Sequence, residues 1–354
     1  MHFSKRLETS KSARILVPFI SVLLALLAGS ILLLLYGKDP LVVFGEMLNS
    51  AFASTYGISE TLVKAIPLML AALAISLAFR MKLWNIGAEG QIYMGAFGAS
   101  GVALFFGHLS SWILLPLMTA AGMLAGALWA FIPGILRARL QVNETFTSLL
   151  LNYVAILWVD YLCYGPWKDP KGSNFPLTPR FPDNATLPTM GDTRIHLGLL
   201  VAILLAVALW FLIRSTRWGF EIRVIGESWD AASYAGMNIG RNIVLVMMVS
   251  GALAALAGVS EVTGITHRLQ HGLSPGYGYS AIIVAWLARL HPLAIIPVAV
   301  LFGGLLVGGY SVQTEGVPFS IALIIQGLIL FFLLGGEIFV THRLIWKRQK
   351  ELRS

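Results

Sequence analysis

Along the 354-residue chain, apolar residues fall in long unbroken runs rather than in alternation. Runs near 15–36, 61–79, 84–106, 111–132, 144–163, 196–213, 242–260, 277–290, 292–311 and 320–341 approach or reach the roughly 20 residues an α-helix needs to cross a bilayer. Lipid offers no hydrogen-bond partner to backbone groups, so only helices or closed barrels can span it, and runs without alternation point to helices. The pattern predicts an all-α fold, a polytopic membrane helical bundle of about ten transmembrane helices. The first run follows Lys5, Arg6, Lys11 and Arg14, as a secretory signal does. It exceeds the roughly 7–15 residues of a signal core and reads as a retained first span.

The polar interruptions organise these runs. The longest outer connection, 164–195, is rich in Pro, Gly and charge and divides the chain nearly in half. Residues 15–163 and 196–341 hold about five spans each, and an odd number per half forces the halves into opposite orientations, as in an inverted repeat. Residues 1–14 and 342–354 are expected to be cytoplasmic tails, and 214–242 is the longest cytoplasmic connection. This orientation puts 18 of the 25 Lys and Arg residues inside, among them Arg80, Lys82, Arg137, Arg139, Arg214, Arg217, Arg223 and Arg241.

Composition sharpens the class. The chain is 57% hydrophobic and only 12% charged, with 35 Gly and 10 Trp, as suits apolar helices packed through small residues with aromatics at the interface. The net charge of +8 is accounted for by the inside-positive bias, and no basic stripe interleaved with aromatics points to nucleic acid. The single cysteine, Cys163, excludes an internal disulfide and multi-cysteine metal sites. No phosphate-binding loop, nucleophile elbow or paired-carboxylate site is evident, so no catalytic residue is assigned. His267 and His271 have i, i+4 spacing, but no third ligand accompanies them. They read as an interfacial pair and no metal is expected.

Three features carry candidate function. Glu89 lies inside an apolar run, where an ionisable group costs about 2.5–3.5 kcal/mol, and it is flanked by Asn85, Gln91 and glycines at 87 and 90. It reads either as part of a polar pathway or as a packing residue paired with Arg80 or Lys82. The run from Asn143 to Tyr153 carries Thr147 and Asn152, which do not share one helical stripe. Within 214–242, Ser228–Gly236 can form a short helix between Gly226 and Gly236, either a plain surface loop or a lever on which a cytoplasmic motor docks.

The blocks WNIGAEGQIYMGAFGAS (84–100), NETFTSLLLNYVA (143–155), GPWKDPKGSNFP (165–176), RVIGESWDAASYAGMNIGR (223–241) and GYGYSAIIVAWLARLHP (276–292) run in order over most of the chain. Together they resemble the permeases of ATP-binding-cassette (ABC) importers for simple sugars and nucleosides that work with basic-membrane-lipoprotein receptors. The resemblance implies a bacterial plasma (inner) membrane subunit that binds no cofactor itself. ATP and magnesium would sit on a cytoplasmic ATPase subunit. A second related permease and an extracytoplasmic substrate-binding lipoprotein would complete the assembly, and the long 164–195 loop favours a heterodimer. The coupling segment implied by the resemblance is Gly226, Glu227, Ala231, Ala232, Tyr234, Ala235 and Gly236. Ser228 and Met237 stand where the family often has Asn and Ile. The substrate pathway expected here comprises Asn85, Glu89, Gln91 and Asn152, with ring contacts from Tyr277 and Tyr279. An ion-coupled carrier or passive channel is the alternative, since an inverted repeat with one buried carboxylate would also serve those.

Overall fold

The computed structural model describes residues 2–5, 11–172 and 175–345. Arg6 and the basic residues from Lys347 onward, counted above as cytoplasmic, lie outside the described residues. Each of the ten apolar runs contains a helix, and the chain forms two compact units, Met1–Ser50 with Gly308–Ser354, and Ala51–Val307.

In the smaller unit, α1 (Lys11–Leu35) packs against α13 (Ser320–Thr341), with most of α2 (Pro40–Phe52) and the end of α12 (Pro292–Ser311). Gly29 lets the pair approach, since a Cβ there would lie 2.9 Å from Ile325. Tyr310 and Phe319 stack at 4.2 Å, and Ser50 and Ser311 share a 2.7 Å hydrogen bond. Backbone pairing of His2–Lys5 with His342–Ile345, antiparallel, is the one strand pair among the described residues.

The larger unit holds α3 (Thr55–Arg80), α4 (Ala88–Phe105), α5 (Ser111–Leu140), α6 (Glu144–Tyr164), α7 (Gly198–Ser215), α8 (Arg217–Glu227), α9 (Trp229–Tyr234), α10 (Ile239–Glu261) and α11 (Tyr277–Leu287). Helices α3 and α10 form its core, whereas α5, α6 and α7 keep most of their apolar surface outward. Trp112 (92% exposed) on α5 belongs to that outward apolar surface. Close approach rests on glycines. A Cβ on Gly95 of α4 would lie 2.6 Å from Ala255 Cα on α10, and Gly258 and Gly251 of α10 meet the backbones of Ile92 and Gly126. The Gly122-x-x-x-Gly126 pair of α5 faces the same seam. First-half α4 packs on second-half α10, while second-half α11 packs on first-half α3.

Among the described residues, seven helices are long and apolar enough to cross a membrane: α1, α3, α5, α6, α7, α10 and α12. The count of about ten is thus approximate. Helix α4 is diluted by Glu89, Gln91 and glycines, and α11 has 11 residues, a half-length helix inside the bundle. Helices α2 and α8 fall in segments expected to connect spans; α8 is too polar for a span. The 164–195 segment is stitched to the chain after α10, with Thr178 and Phe181 N–H donating to Leu269 and His267 carbonyls at 2.9 and 2.8 Å. These bonds pair the backbone at Thr178 and Phe181 with that stretch.

Candidate functional site

Helix α3 ends at Arg80, and residues 81–87 continue without regular structure, alternately buried and exposed, before α4 begins. Met81, Leu83 and Asn85 there are essentially inaccessible. Turn hydrogen bonds to backbone carbonyls satisfy most of this stretch's N–H groups, and polar side chains take the rest, with Trp84 N–H on Glu144 and Gly87 N–H on Asn85. Asn85 Nδ2 donates to Gln91 Oε1 (3.0 Å) and Ser250 Oγ (2.9 Å), and Gln91 Nε2 returns a 2.9 Å bond to Asn85 Oδ1. Gly87 N–H donates to Asn85 Oδ1 and Gly90 N–H to Asn152 Oδ1 (2.8 Å), so two of the free donors at the start of α4 are capped. Asn152 Nδ2 donates to the Ile86 carbonyl at 2.9 Å and to Tyr279 Oη at 3.3 Å. Helix α6 lies so close that a Cβ on Gly90 would sit 2.9 Å from Asn152 Cα, which explains the glycine.

Glu89 is paired with neither Arg80, which donates to the Leu290 carbonyl, nor Lys82, which faces the Glu227 carbonyl at 3.5 Å. Its carboxylate instead accepts a 2.6 Å bond from Gly278 N–H, beside the turn in which Gly276 N–H and Tyr277 N–H donate to Ser274 Oγ at 3.2 and 3.0 Å. It caps the N-terminus of α11, where the helix dipole and unpaired N–H groups favour an anion. The starts of α4 and α11 thus meet inside the unit, and a Cβ on Gly278 would strike the backbone of Glu89.

Of the six expected pathway residues, Asn85, Glu89, Gln91, Asn152 and Tyr279 form this one cluster. Tyr277 turns away from it and accepts a 3.1 Å bond from Lys64 of α3. Only Tyr279, 38% exposed, reaches the surface of the chain; the other five are fully buried. Sequence reading missed Ser250, which links Asn85 to the Ala74 carbonyl (2.7 Å), because a lone serine in an apolar helix carries no signal. It also passed over Glu261, buried at the end of α10 within the field of Lys64 and Arg194. The warning was the one that flagged Glu89, an ionisable residue bordering an apolar run.

The expected coupling segment is built as a short projecting helix. Ser228 ends α8 and caps α9, accepting from Ala231 N–H at 3.2 Å. Gly226 packs on the backbone of Arg80, and Ala232 is fully buried. Glu227, Ala231, Tyr234, Ala235 and Gly236 are exposed, and Tyr234 is 97% exposed on a six-residue helix. Gly236 has φ +73°, which ends α9 in a left-handed turn. Trp229 anchors α9 by stacking on the Arg137 guanidinium (5.4 Å), itself paired with Glu144 at 3.3 Å.

His267 and His271 do not share a helical face. His267 has φ +52° beyond the π-helical turn Val262–Thr266, and His271 pairs with Asp160 at 2.7 Å. No group of three or more His, Cys, Asp or Glu suited to a metal occurs among the described residues.

A multi-helix apolar bundle in which the starts of α4 and α11 meet, with an internal polar cluster and a braced external helix, is the architecture of a membrane transport subunit. The chain belongs to the family described as the permease component of the branched-chain amino acid transport system, matched over residues 57–334. It is similar to a glucose ABC transporter permease of Haloferax volcanii, 40% identical over 338 residues covering 92% of this chain and 88% of that protein. A guanosine ABC transporter permease of Bacillus subtilis is 35% identical over 328 residues, 90% of this chain and 93% of that protein. A second guanosine permease of that organism is 29% identical over 256 residues, 70% and 79% respectively. The expected class, the multi-pass permease subunit of an ABC importer, is borne out.

Proposed function

We propose that the chain, paired with a second related permease, forms the pathway of an importer for nucleosides or simple sugars driven by a separate ATPase. The observation that carries the substrate class is the similarity, over 92% and 90% of the chain, to permeases named for glucose and guanosine. Both ligands are uncharged and rich in hydroxyls, and guanosine adds a flat ring. Tyr279 at the surface offers a ring and a hydroxyl, and Asn152 behind it a carboxamide. Asn85, Glu89, Gln91 and Tyr277 form the wall that supports them. Two guanosine permeases in one organism support a heteromeric pair. The exposed face of α9 receives the ATPase, whose movement Gly226 and Ala232 transmit through their buried contacts. Both termini are cytoplasmic by the distribution of Lys and Arg, with a substrate-binding lipoprotein on the opposite side.

The test is uptake of labelled nucleosides and sugars into proteoliposomes that hold the chain with its paired permease, ATPase and receptor. ATP-dependent uptake of one class is expected. Uptake that persists without the ATPase would move the reading to a carrier or channel. A complex that hydrolyses ATP and carries neither class would remove the substrate assignment.

A further inference from the structure

The corner between α7, α8 and α10 encloses an open cleft of 1110 Å³ with Arg214, Arg217, Arg223 and Arg241 on its walls. Glu221 is the one carboxylate lining it, and that group accepts a 2.7 Å bond from Asn242. None of the four arginines is ion-paired to a carboxylate among the described residues. Arg223 donates to the Ile213 carbonyl, and Arg214 lies over the Trp210 ring at 5.4 Å, so both are held in place. Arg217 and Arg241 are exposed.

The cleft also has a direction. Arg241, Leu245 and Val249 all line it, and their i, i+4, i+8 spacing sets them on one face of α10, leading from charge into an apolar span. Phe220 of α8, 52% exposed, and Trp218 near the start of α8 line the same cleft. Charge at one end and exposed apolar side chains at the other match an amphiphile whose anionic head is tied to hydrocarbon. Ala235 and Gly236 of the segment proposed to receive the ATPase line the same cleft, but the Leu245–Val249 face, which continues into an apolar span, suits an acyl chain and not a cytoplasmic protein.

We infer that this cleft binds the phosphate headgroup of an anionic phospholipid, with Arg217 and Arg241 on the phosphate and the acyl chains along Phe220, Leu245 and Val249. The inside-positive bias accounts for arginines at the ends of spans, but not for their convergence on one cleft with an apolar floor. The binding site does not depend on the substrate, and lipid retention in detergent does not depend on which side of the membrane the cleft faces.

The test is native mass spectrometry of the detergent-purified full chain, titrated with phosphatidylglycerol and, separately, with phosphatidylcholine. The R217Q/R241Q variant is expected to bind phosphatidylglycerol about 30-fold more weakly, as about 1 kcal/mol per arginine implies. R217K/R241K is expected to retain most of the affinity, because lysine also serves a phosphate as a point charge. A monodisperse elution profile for each variant shows that it has folded. Equal retention of both lipids, or loss of neither in R217Q/R241Q, would overturn the inference. Displacement of the lipid by millimolar inorganic phosphate would make this a free-phosphate site and overturn the lipid assignment. Loss of the ATPase subunit from R217Q/R241Q with lipid binding unchanged would assign the arginines to protein docking instead.

Discussion

Glu89→Ala tests whether the buried carboxylate stabilises the junction between α4 and α11. The native side chain accepts from Gly278 N–H at 2.6 Å. Alanine leaves that buried donor without its acceptor, which costs about 1–3 kcal/mol. The expected loss is about 2 kcal/mol, roughly 30-fold in the folding equilibrium. Reversible unfolding of the chain in mixed micelles with increasing SDS would read it directly. Glu89→Gln keeps one acceptor and is expected to lose about half as much. A Glu89→Ala variant within about 0.5 kcal/mol of the native chain would refute the capping argument. If uptake nevertheless disappeared, the carboxylate would be acting on the transported ligand.

Tyr234→Ala should leave unfolding unchanged, because the ring is 97% exposed, but should lower ATP-dependent uptake at least roughly tenfold if α9 is the docking element; unchanged uptake would remove Tyr234 from the interface. Gly258→Leu should cost about 1–3 kcal/mol or prevent folding, since the added side chain meets the Ile92 carbonyl, whereas Gly327→Ala, with nothing within 4 Å of its Cβ, should be nearly neutral; comparable elution profiles for the two would disprove the seam argument. His267 sits between the last two spans outside the membrane helices, and burial followed by the charges of Arg180, Arg194 and Arg268 lowers its pKa. The folded chain then binds fewer protons than the unfolded one below about pH 6.5, so His267 contributes stability above that pH that is lost as the pH falls. Unfolding measured from pH 7.5 to pH 5 should show a smaller slope in His267→Gln, and an unchanged slope would show that other groups carry it.

Long apolar runs made the helices and the membrane class legible from sequence, because lipid leaves the backbone no alternative to internal hydrogen bonding. Glu89, Asn85, Gln91 and Asn152 stood out for the same reason: polar groups in apolar runs need partners, and that need is visible without a structure. The partners themselves were not visible. Glu89 meets Gly278, 189 residues away, and Asn85 meets Ser250, 165 residues away. The sequence offered Arg80 and Lys82 because they are near in the chain, and the fold chose the start of α11. Helix α8 was equally hidden, since its polar composition reads as a loop until Gly219 packs on the backbone of Ile213 and Trp218 reaches Asn242. Hydrophobicity and propensity are local properties of a chain, so they determine which segments become helices. Which helix end caps which carboxylate depends on contacts between distant segments, and only the packed tertiary structure decides it.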